Sequence, residues 1–188
     1  LCLDHADRVT AFAALDIVPT LHRFETVDMS VALRAWHWFF LAQDDGLPER
    51  MIGADPDWYL RRTLNAWSAT PDIWDPAAYA CYLRSLSDPA SLHATCEDYR
   101  ASAGIDLVHD REDRAAGRRI DCPVLALRGE TSPNSGSYEV EDIWRGFARD
   151  VTCRPIRSGH FAAEEAPEAT AEALIEFFAA TAGREAAE

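Results

Sequence analysis

"CPVLALRGE", residues Cys122 to Glu130, decides the fold class, because an unbroken apolar run ends there in a charged residue and a glycine. A short continuous apolar run closed by a turn residue is typical of a strand that is buried on both faces. "VTAFAALDIVPT", Val9 to Thr20, has the same form and ends at Asp16. "DVTCRPIRSGH", Asp150 to His160, is a third and weaker strand. The three runs predict a parallel sheet.

The long segment between the first two strands has a different pattern. From about Leu21 to Arg119 there is no convincing strand, and helical stretches rich in Trp and Tyr are broken by "GADPD" and "SDPAS". After the third strand, Pro167 can open a helix. Strands that alternate with helices, with one long helical insertion, predict an α/β sheet with an inserted helical cap. The apolar face predicted for the last helix comprises Ala171, Leu174, Ile175 and Phe178.

Composition excludes several classes of protein. The chain has a formal net charge of −14, and its 18 basic residues are all Arg, which argues against binding to nucleic acid or to an anionic membrane surface. No stretch is long and apolar enough to span a bilayer. The five cysteines are widely spaced and contain no C-x-x-C pair, so we expect neither a disulfide framework nor a zinc site. We therefore expect reduced thiols in a cytoplasmic protein.

Two residues at predicted strand ends could form a catalytic pair. Asp16 and His160 each follow a strand, and ligands of open parallel sheets bind outside the carboxyl ends of the strands. A carboxylate that orients a histidine, which then activates water or a nucleophile, is the logic of a catalytic triad. Their spacing alone is explained as well by an Asp that caps a turn and a His in an ordinary loop.

The aromatic segment "RAWHWFFLAQ", Arg34 to Gln43, also allows two interpretations. Its side chains include N–H groups that a dry core would not leave unpaired. Yet an apolar stripe at helical spacing is usually core, and Trp38 lies about 100° further round such a helix. The stripe comprises Leu33, Trp36, His37, Phe40 and Leu41.

Longer motifs resemble one known family. "SGHFAAEEAPE" resembles the histidine segment of the α/β-hydrolases, and "LDIVPT", "WHWFFLAQ…LPERMIGADPDWYL" and "CEDYRASAGIDLVHDREDRAAGRRIDCPVLALRGE" resemble the fluoroacetate (haloacetate) dehalogenases among them. The likeness covers essentially the whole chain. It implies an α/β-hydrolase core, represented by its C-terminal strands and helices only, at residues 1–19 and 120–188, and a helical cap domain at residues 20–119.

The resemblance also implies roles for individual residues. Asp16 would be the triad acid, moved from its usual place after "PVLALRGE", where "TSPNSGS" contains no Asp. His160 would activate water. His37, Trp38 and Tyr99 would donate hydrogen bonds to the departing halide, and Trp67 would line the pocket. Trp36, Phe39 and Phe40 are interpreted as packing residues.

One essential part of the family's catalytic apparatus is absent from these 188 residues. The nucleophilic Asp of the family lies in a Gly-x-Asp-Arg-Gly elbow, which we expect upstream of "LCLDHADRV" together with the arginines that bind the substrate carboxylate. We therefore expect this chain to be inactive alone. We also expect it to be unstable alone, because three strands leave a sheet edge open.

The family reaction is hydrolysis of a haloacetate, through an ester of the nucleophilic Asp and without metal or organic cofactor. The resemblance implies a small haloacid substrate and pairing as a homodimer. Epoxide hydrolysis by paired cap tyrosines and ester hydrolysis are alternatives with the same fold. A non-catalytic remnant or binding module is an alternative of another class. The tyrosines available for epoxide chemistry are Tyr59, Tyr79, Tyr82 and Tyr99.

Overall fold

A three-stranded parallel sheet lies at the centre of the computed structural model, which describes residues 1–132 and 139–185. Its strands are β1 (Phe12–Leu15), β2 (Val124–Gly129) and β3 (Val151–Ile156), in the order β1-β2-β3. The register pairs Ala14 with Ala126 and Ala126 with Cys153. The three predicted strands are therefore present, with β2 in the middle.

Eight helices lie between β1 and β2, where the sequence predicted a helical insertion. One helix, α9 (Val140–Phe147), joins β2 to β3, and α10 (Ala162–Glu165) and α11 (Pro167–Glu185) follow β3. None of the helices in the described ranges could cross a membrane. The partition into a core domain and a cap domain at residues 20–119 stays a prediction, and we use the word cap for the eight inserted helices. The inserted helices are α1 (Thr20–Glu25), α2 (Met29–Arg34), α3 (Trp36–Leu41), α4 (Leu47–Ala54), α5 (Pro56–Trp67), α6 (Pro76–Ser87), α7 (Pro89–Ala103) and α8 (Ile105–Ala115).

Asp-Pro pairs start three of the longer cap helices. Asp55, Asp75 and Asp88 are the N-cap residues of α5, α6 and α7, and each carboxylate accepts a backbone N–H of the first turn at 2.9–3.2 Å. The proline that follows each Asp has no N–H to leave unpaired and a backbone torsion already suited to a helix. Sequence breaks such as "GADPD" and "SDPAS" are therefore helix starts.

The sheet is covered on both faces by helices. Val124 and Ala126 pack with Trp144 of α9, whereas Leu125 and Leu127 pack with Phe177 of α11. Successive side chains of a strand point to opposite faces, so one apolar run contributes to both clusters. This explains why the sequence of β2 is an almost continuous run of hydrophobic residues.

The face that α11 buries differs from the predicted one. Ile175 is 69% exposed and Phe178 is 42% exposed, although both were predicted to face the core. The helix is turned so that Ala173 and Phe177 contact the sheet, and the Thr170 hydroxyl donates to Ala162 O at 2.8 Å. Several registers of an alanine-rich helix are comparably apolar, and packing against β2 selects among them.

The aromatic stripe of the cap is also interrupted. The helix breaks at Ala35, between α2 and α3, so residues on either side of the break do not share one face. Leu33 is 70% exposed and Trp36 is 37% exposed, so the continuous core stripe that one of the two interpretations implied is not formed. The actual cap core consists of Leu41, Ile52, Leu92 and Cys96.

Substitution of Gly129 by alanine is expected to destabilise the protein by about 1–3 kcal/mol. A Cβ at this position would lie 2.1 Å from the carbonyl oxygen of Gly159, so the end of β2 and the segment before His160 would have to separate. Gly53→Ala is the matched control, because a Cβ there meets nothing within 4 Å. Urea unfolding should show a lower midpoint for Gly129→Ala alone, and equal midpoints would contradict the packing argument.

Candidate active site

Asp16 directly follows the last residue of β1 and has an unusual backbone conformation. Its φ of 52° lies in the left-handed region, which Asp adopts more readily than most non-glycine residues. The Asp16 N–H still donates to Leu127 O at 2.7 Å, and the residue is 4% exposed. The Asp16 carboxylate is therefore buried at the edge of the sheet where the carboxyl ends of the strands lie.

The Asp16 carboxylate accepts hydrogen bonds from several of the described residues. Gly129 N donates to Oδ1 at 3.0 Å, and the Ser132 hydroxyl donates to Oδ2 at 2.5 Å. Nδ1 of His160 lies 2.7 Å from Oδ2. A carboxylate can only accept, so Nδ1 carries the proton and Nε2 of His160 is left with a free lone pair. This is the arrangement of a histidine oriented for general-base chemistry.

Trp67 links the His160 loop to the cap. The carbonyl oxygen of Trp67, the last residue of α5, accepts the His160 backbone N–H at 2.9 Å. Its indole centroid lies 5.5 Å from the His160 ring, edge to face, and 4.2 Å from the His37 ring. Trp67 therefore lies between the histidine of the core and the histidine of the cap.

A cleft of about 100 Å³ brings most of the predicted site residues together. Five of the six line it directly. Asp16, the sixth, lies behind His160 and borders a smaller adjoining cavity. The described residues that line the cleft are Ile17, Arg23, Arg34, Ala35, His37, Trp38, Trp67, Tyr99 and His160.

Three polar aromatic side chains of the cap form one wall of this cleft. Ring centroids are 5.9 Å apart for His37 and Tyr99, and 6.0 Å apart for Trp38 and Tyr99. His37 and Trp38 are consecutive, yet both border the cleft. The offset of about 100° between neighbouring side chains of a helix therefore does not keep Trp38 out of the cleft that His37 lines. Nδ1 of His37 is enclosed and has no hydrogen-bond partner among residues 1–132 and 139–185.

The charge states of this wall follow from burial. Burial, with smaller contributions from the nearby charges of His160 and Arg23, lowers the pKa of His37 to about 3. Burial also raises the pKa of Tyr99 to about 12, with a smaller contribution from the Asp98 charge. At neutral pH the imidazole is therefore uncharged with one N–H, and the phenol keeps its O–H. Both groups can donate hydrogen bonds into the cleft.

The low pKa of His37 predicts that stability falls in mild acid. Between its ordinary value of 6.5 and the folded value of about 3, the unfolded chain binds a proton that the folded protein does not. The His37 contribution is complete above pH 6.5 and is lost as the pH falls toward 3, by about 2 kcal/mol between pH 7 and pH 5. Urea unfolding of wild type and His37→Gln across this range should show a shallower pH dependence for the variant. Parallel curves would contradict the prediction, and the exposed His109→Gln is the control.

Sequence reasoning missed several residues that contact this site, among them Gly129, Ser132 and Arg23. Gly129 and Ser132 donate to Asp16. Ser132 lies in "TSPNSGS", which was searched for an acid rather than for a hydroxyl donor. Arg23 is 6% exposed and its Cζ lies 5.8 Å from the centroid of the Trp38 ring. No local pattern distinguishes a buried arginine from a surface one, so no sequence signal pointed to it.

Within the described part of the chain, no three His, Cys, Asp or Glu side chains are grouped so that they could hold a metal ion.

The chain is similar to known proteins over nearly its whole length. A fluoroacetate dehalogenase from Burkholderia sp is 39% identical over 178 residues, which are 94% of this chain and 58% of that protein. Over nearly its whole length the chain is similar to the haloacetate dehalogenase-like α/β-hydrolases. No family model matches the chain.

Solved structures of α/β-hydrolases share the fold of this haloacetate dehalogenase-like chain. A Nostoc sp PCC 7120 protein named as an α/β hydrolase superimposes with a TM-score of 0.91 at 47% identity, covering 95% of this chain and 60% of that one. A Pseudomonas aeruginosa protein named as an epoxide hydrolase, with bound MFA, has a TM-score of 0.91 at 44% identity and covers 100% and 63%. The chain thus spans about three fifths of the length of these relatives.

Proposed function

We propose that the full-length protein containing these residues hydrolyses the carbon–halogen bond of a small haloacid such as a haloacetate. The observation that carries the proposal is the common cleft of His160, paired with Asp16, and of three hydrogen-bond donors, His37, Trp38 and Tyr99. A histidine held by a carboxylate can activate water. Neutral N–H and O–H donors opposite it can stabilise a departing anion.

In the first proposed step, a carboxylate attacks the carbon that bears the halogen. A carbon–oxygen bond forms, the carbon–halogen bond breaks, and the halogen leaves with the bonding electrons as halide. We assign this carboxylate to the part of the protein outside these 188 residues, as the family resemblance implies. His37, Trp38 and Tyr99 would donate to the halide, and these bonds strengthen as charge develops on it. Each is expected to contribute roughly 3 kcal/mol, as for a donor in an oxyanion hole.

In the second step, water hydrolyses the ester. His160 Nε2 accepts a proton from water as the oxygen attacks the ester carbonyl, and Asp16 stabilises the imidazolium that forms. Collapse of the tetrahedral intermediate releases the hydroxy acid and regenerates the carboxylate, and the proton on His160 returns to solvent. The buried Asp16 carboxylate keeps Nδ1 protonated throughout, so the base is always the nitrogen that faces the cleft.

The cleft favours this reaction over epoxide hydrolysis, although relatives named as epoxide hydrolases superimpose well. Paired tyrosines would be needed to protonate an epoxide oxygen, and Tyr99 is the one tyrosine among the described lining residues. Tyr59 packs in the cap core, the Tyr79 hydroxyl donates to Asp57 at 2.7 Å, and the Tyr82 hydroxyl is bonded to Glu164.

Product analysis of the full-length protein tests the proposal. Fluoroacetate, chloroacetate, a small epoxide and an activated acetate ester are each supplied, and halide, diol and acetate are measured. Halide release from a haloacetate supports the proposal, diol formation alone supports epoxide hydrolysis, and turnover of the ester alone supports an esterase. A folded protein that turns over none of them would leave the non-catalytic binding module as the remaining alternative.

The proposal also retains a cytoplasmic location, pairing as a homodimer and a reaction without cofactor.

A further inference from the structure

A buried arginine lies beside the three proposed halide donors. Arg23, on α1, lines the same cleft as His37 and Trp38 and is 6% exposed. Its Cζ lies 5.8 Å from the centroid of the Trp38 ring. Its positive charge is also one of the causes that hold the pKa of His37 low. The guanidinium is therefore close enough to act electrostatically on the donors and on an anion bound between them.

The surroundings of Arg23 favour an anionic ligand. No Asp or Glu occurs among the described residues that line the cleft itself, and Asp16 borders the adjoining cavity together with Arg23. A second arginine, Arg34, lines the cleft as well, but it is exposed and donates to Ser30 Oγ at 2.5 Å. Burial reduces screening by solvent and salt, so the charge of Arg23 should act more strongly than that of Arg34.

We propose that Arg23 makes the cap side of the cleft a subsite for a monovalent anion, the departing halide, and so determines which leaving groups the protein accepts. This inference rests on the proposed dehalogenation for the identity of the anion. Fluoride concentrates its charge on a small atom and is a poor leaving group, so the positive charge should matter most for it. Bromide leaves more readily and should depend on Arg23 less.

Bromide binding to the full-length protein tests the subsite without turnover. Bromide quenches tryptophan fluorescence, and Trp38 and Trp67 both lie at the cleft. Arg23→Gln is expected to raise the Kd for bromide about 10- to 100-fold, the effect of one charge roughly 6–8 Å away at an effective dielectric constant near 20. Arg62→Gln is the matched control, because Arg62 is exposed and does not line the cleft. It should change Kd less than about threefold, as expected for an exposed charge.

Kinetics then test the leaving-group preference. Arg23→Gln should lower kcat/KM for fluoroacetate more than for bromoacetate, whereas Arg62→Gln should not change that ratio. An unchanged bromide Kd in folded Arg23→Gln, or an unchanged ratio, would overturn the inference. If Arg23→Gln fails to fold, Arg23→Lys keeps the charge on a shorter group and should retain most of the bromide binding, so loss of that binding in folded Arg23→Lys would overturn the inference too. Bromide binding that depends on Arg23 without any halide release would refute the dehalogenase proposal but not the anion subsite.

A second, independent observation concerns the loop that carries His160. One carboxylate, that of Glu165 on α10, accepts three backbone N–H groups. Oε2 accepts from Ala69 at 2.7 Å and from Gly159 at 2.9 Å, and Oε1 accepts from Phe161 at 3.1 Å. Gly159 and Phe161 flank His160, and Ala69 belongs to the segment after α5. The carboxylate therefore joins the cap to both sides of the histidine.

The packing at this junction is close. A Cβ at Gly159 would lie 2.3 Å from the backbone nitrogen of Ala69 and 2.8 Å from Oε1 of Glu165. With the bond from His160 N–H to Trp67 O, this leaves the loop little freedom to shift relative to the cap. We infer that Glu165 is a positioning residue that holds His160 at the cleft. The inference rests on the proposed role of His160 as the base.

Glu165→Gln in the full-length protein tests this inference. The amide nitrogen cannot accept, so at least one of the three N–H groups loses its partner. We expect kcat for haloacetate to fall about 10- to 100-fold with little change in KM, as for a base displaced by about 1 Å. Glu164→Gln is the matched control, since it neutralises a carboxylate that accepts from the Tyr82 hydroxyl rather than from the loop. It should leave kcat within about twofold.

Amide hydrogen exchange provides a measurement that does not depend on turnover. Gly159 or Phe161 should exchange faster in Glu165→Gln and not in Glu164→Gln. Equal kcat in the two variants, or unchanged exchange at both amides, would overturn the positioning role. Faster exchange in a protein that releases no halide would keep the loop contact and refute the dehalogenase proposal.

Discussion

Replacement of His160 by alanine should lower kcat for haloacetate in the full-length protein by about 10²- to 10⁴-fold. The first step needs a carboxylate and halide donors but no base, so it should proceed without His160. The ester should then persist, because the water that hydrolyses it has lost its proton acceptor. We expect a burst of about one halide per chain followed by very slow release. The intact mass of the protein should rise by the mass of the haloacid less that of the hydrogen halide lost when the ester forms.

Asp16→Asn should have a similar consequence for a different reason. The side chain keeps its size, but the amide cannot hold the imidazole with its proton on Nδ1. The exposed His109→Ala is the control and should behave as wild type. Steady turnover by His160→Ala, or a burst without a mass increase, would show that His160 does not activate the water.

Tyr99→Phe is expected to produce the largest effect among the cap residues. It removes one hydroxyl from the wall of the cleft and should lower kcat/KM for fluoroacetate by about 10²- to 10³-fold, as for loss of one donor to a developing anion. The loss should be smaller for bromoacetate, because bromide needs less stabilisation. Rates of halide release from the two substrates measure the difference.

Tyr59→Phe is the matched control for this change. Both phenols have a pKa raised to about 12 by burial, but Tyr59 packs in the cap core and its hydroxyl bonds to Thr63. The control should therefore leave the ratio of fluoride to bromide release unchanged. An equal loss for both halides in Tyr99→Phe would contradict its role as a halide donor, and selective loss of epoxide turnover would support the epoxide alternative.

The elements that could be predicted from sequence are those with a local signal. The apolar run of β2 is buried on both faces, so its residues carry the pattern of a buried strand without reference to any neighbour. The Asp-Pro starts of the cap helices are local in the same sense, because capping involves contacts within one turn. The buried face of α11 was predicted wrongly at Ile175 and Phe178, which are exposed. An alanine-rich helix is nearly as apolar on one side as on another.

The sequence by itself determined the α/β class and the helical insertion, because hydrophobic periodicity and turn residues act over a few positions. It gave the candidate residues of the helical insertion only through their resemblance to a known family. Tertiary structure decided which candidates meet. Asp16 and His160 are 144 positions apart, and lie 2.7 Å from each other because parallel strands bring their carboxyl ends to one edge of the sheet. The burial of Arg23 and the three bonds of Glu165 also required the fold. A charged side chain in sequence carries no mark of whether a cleft, a loop or solvent will surround it.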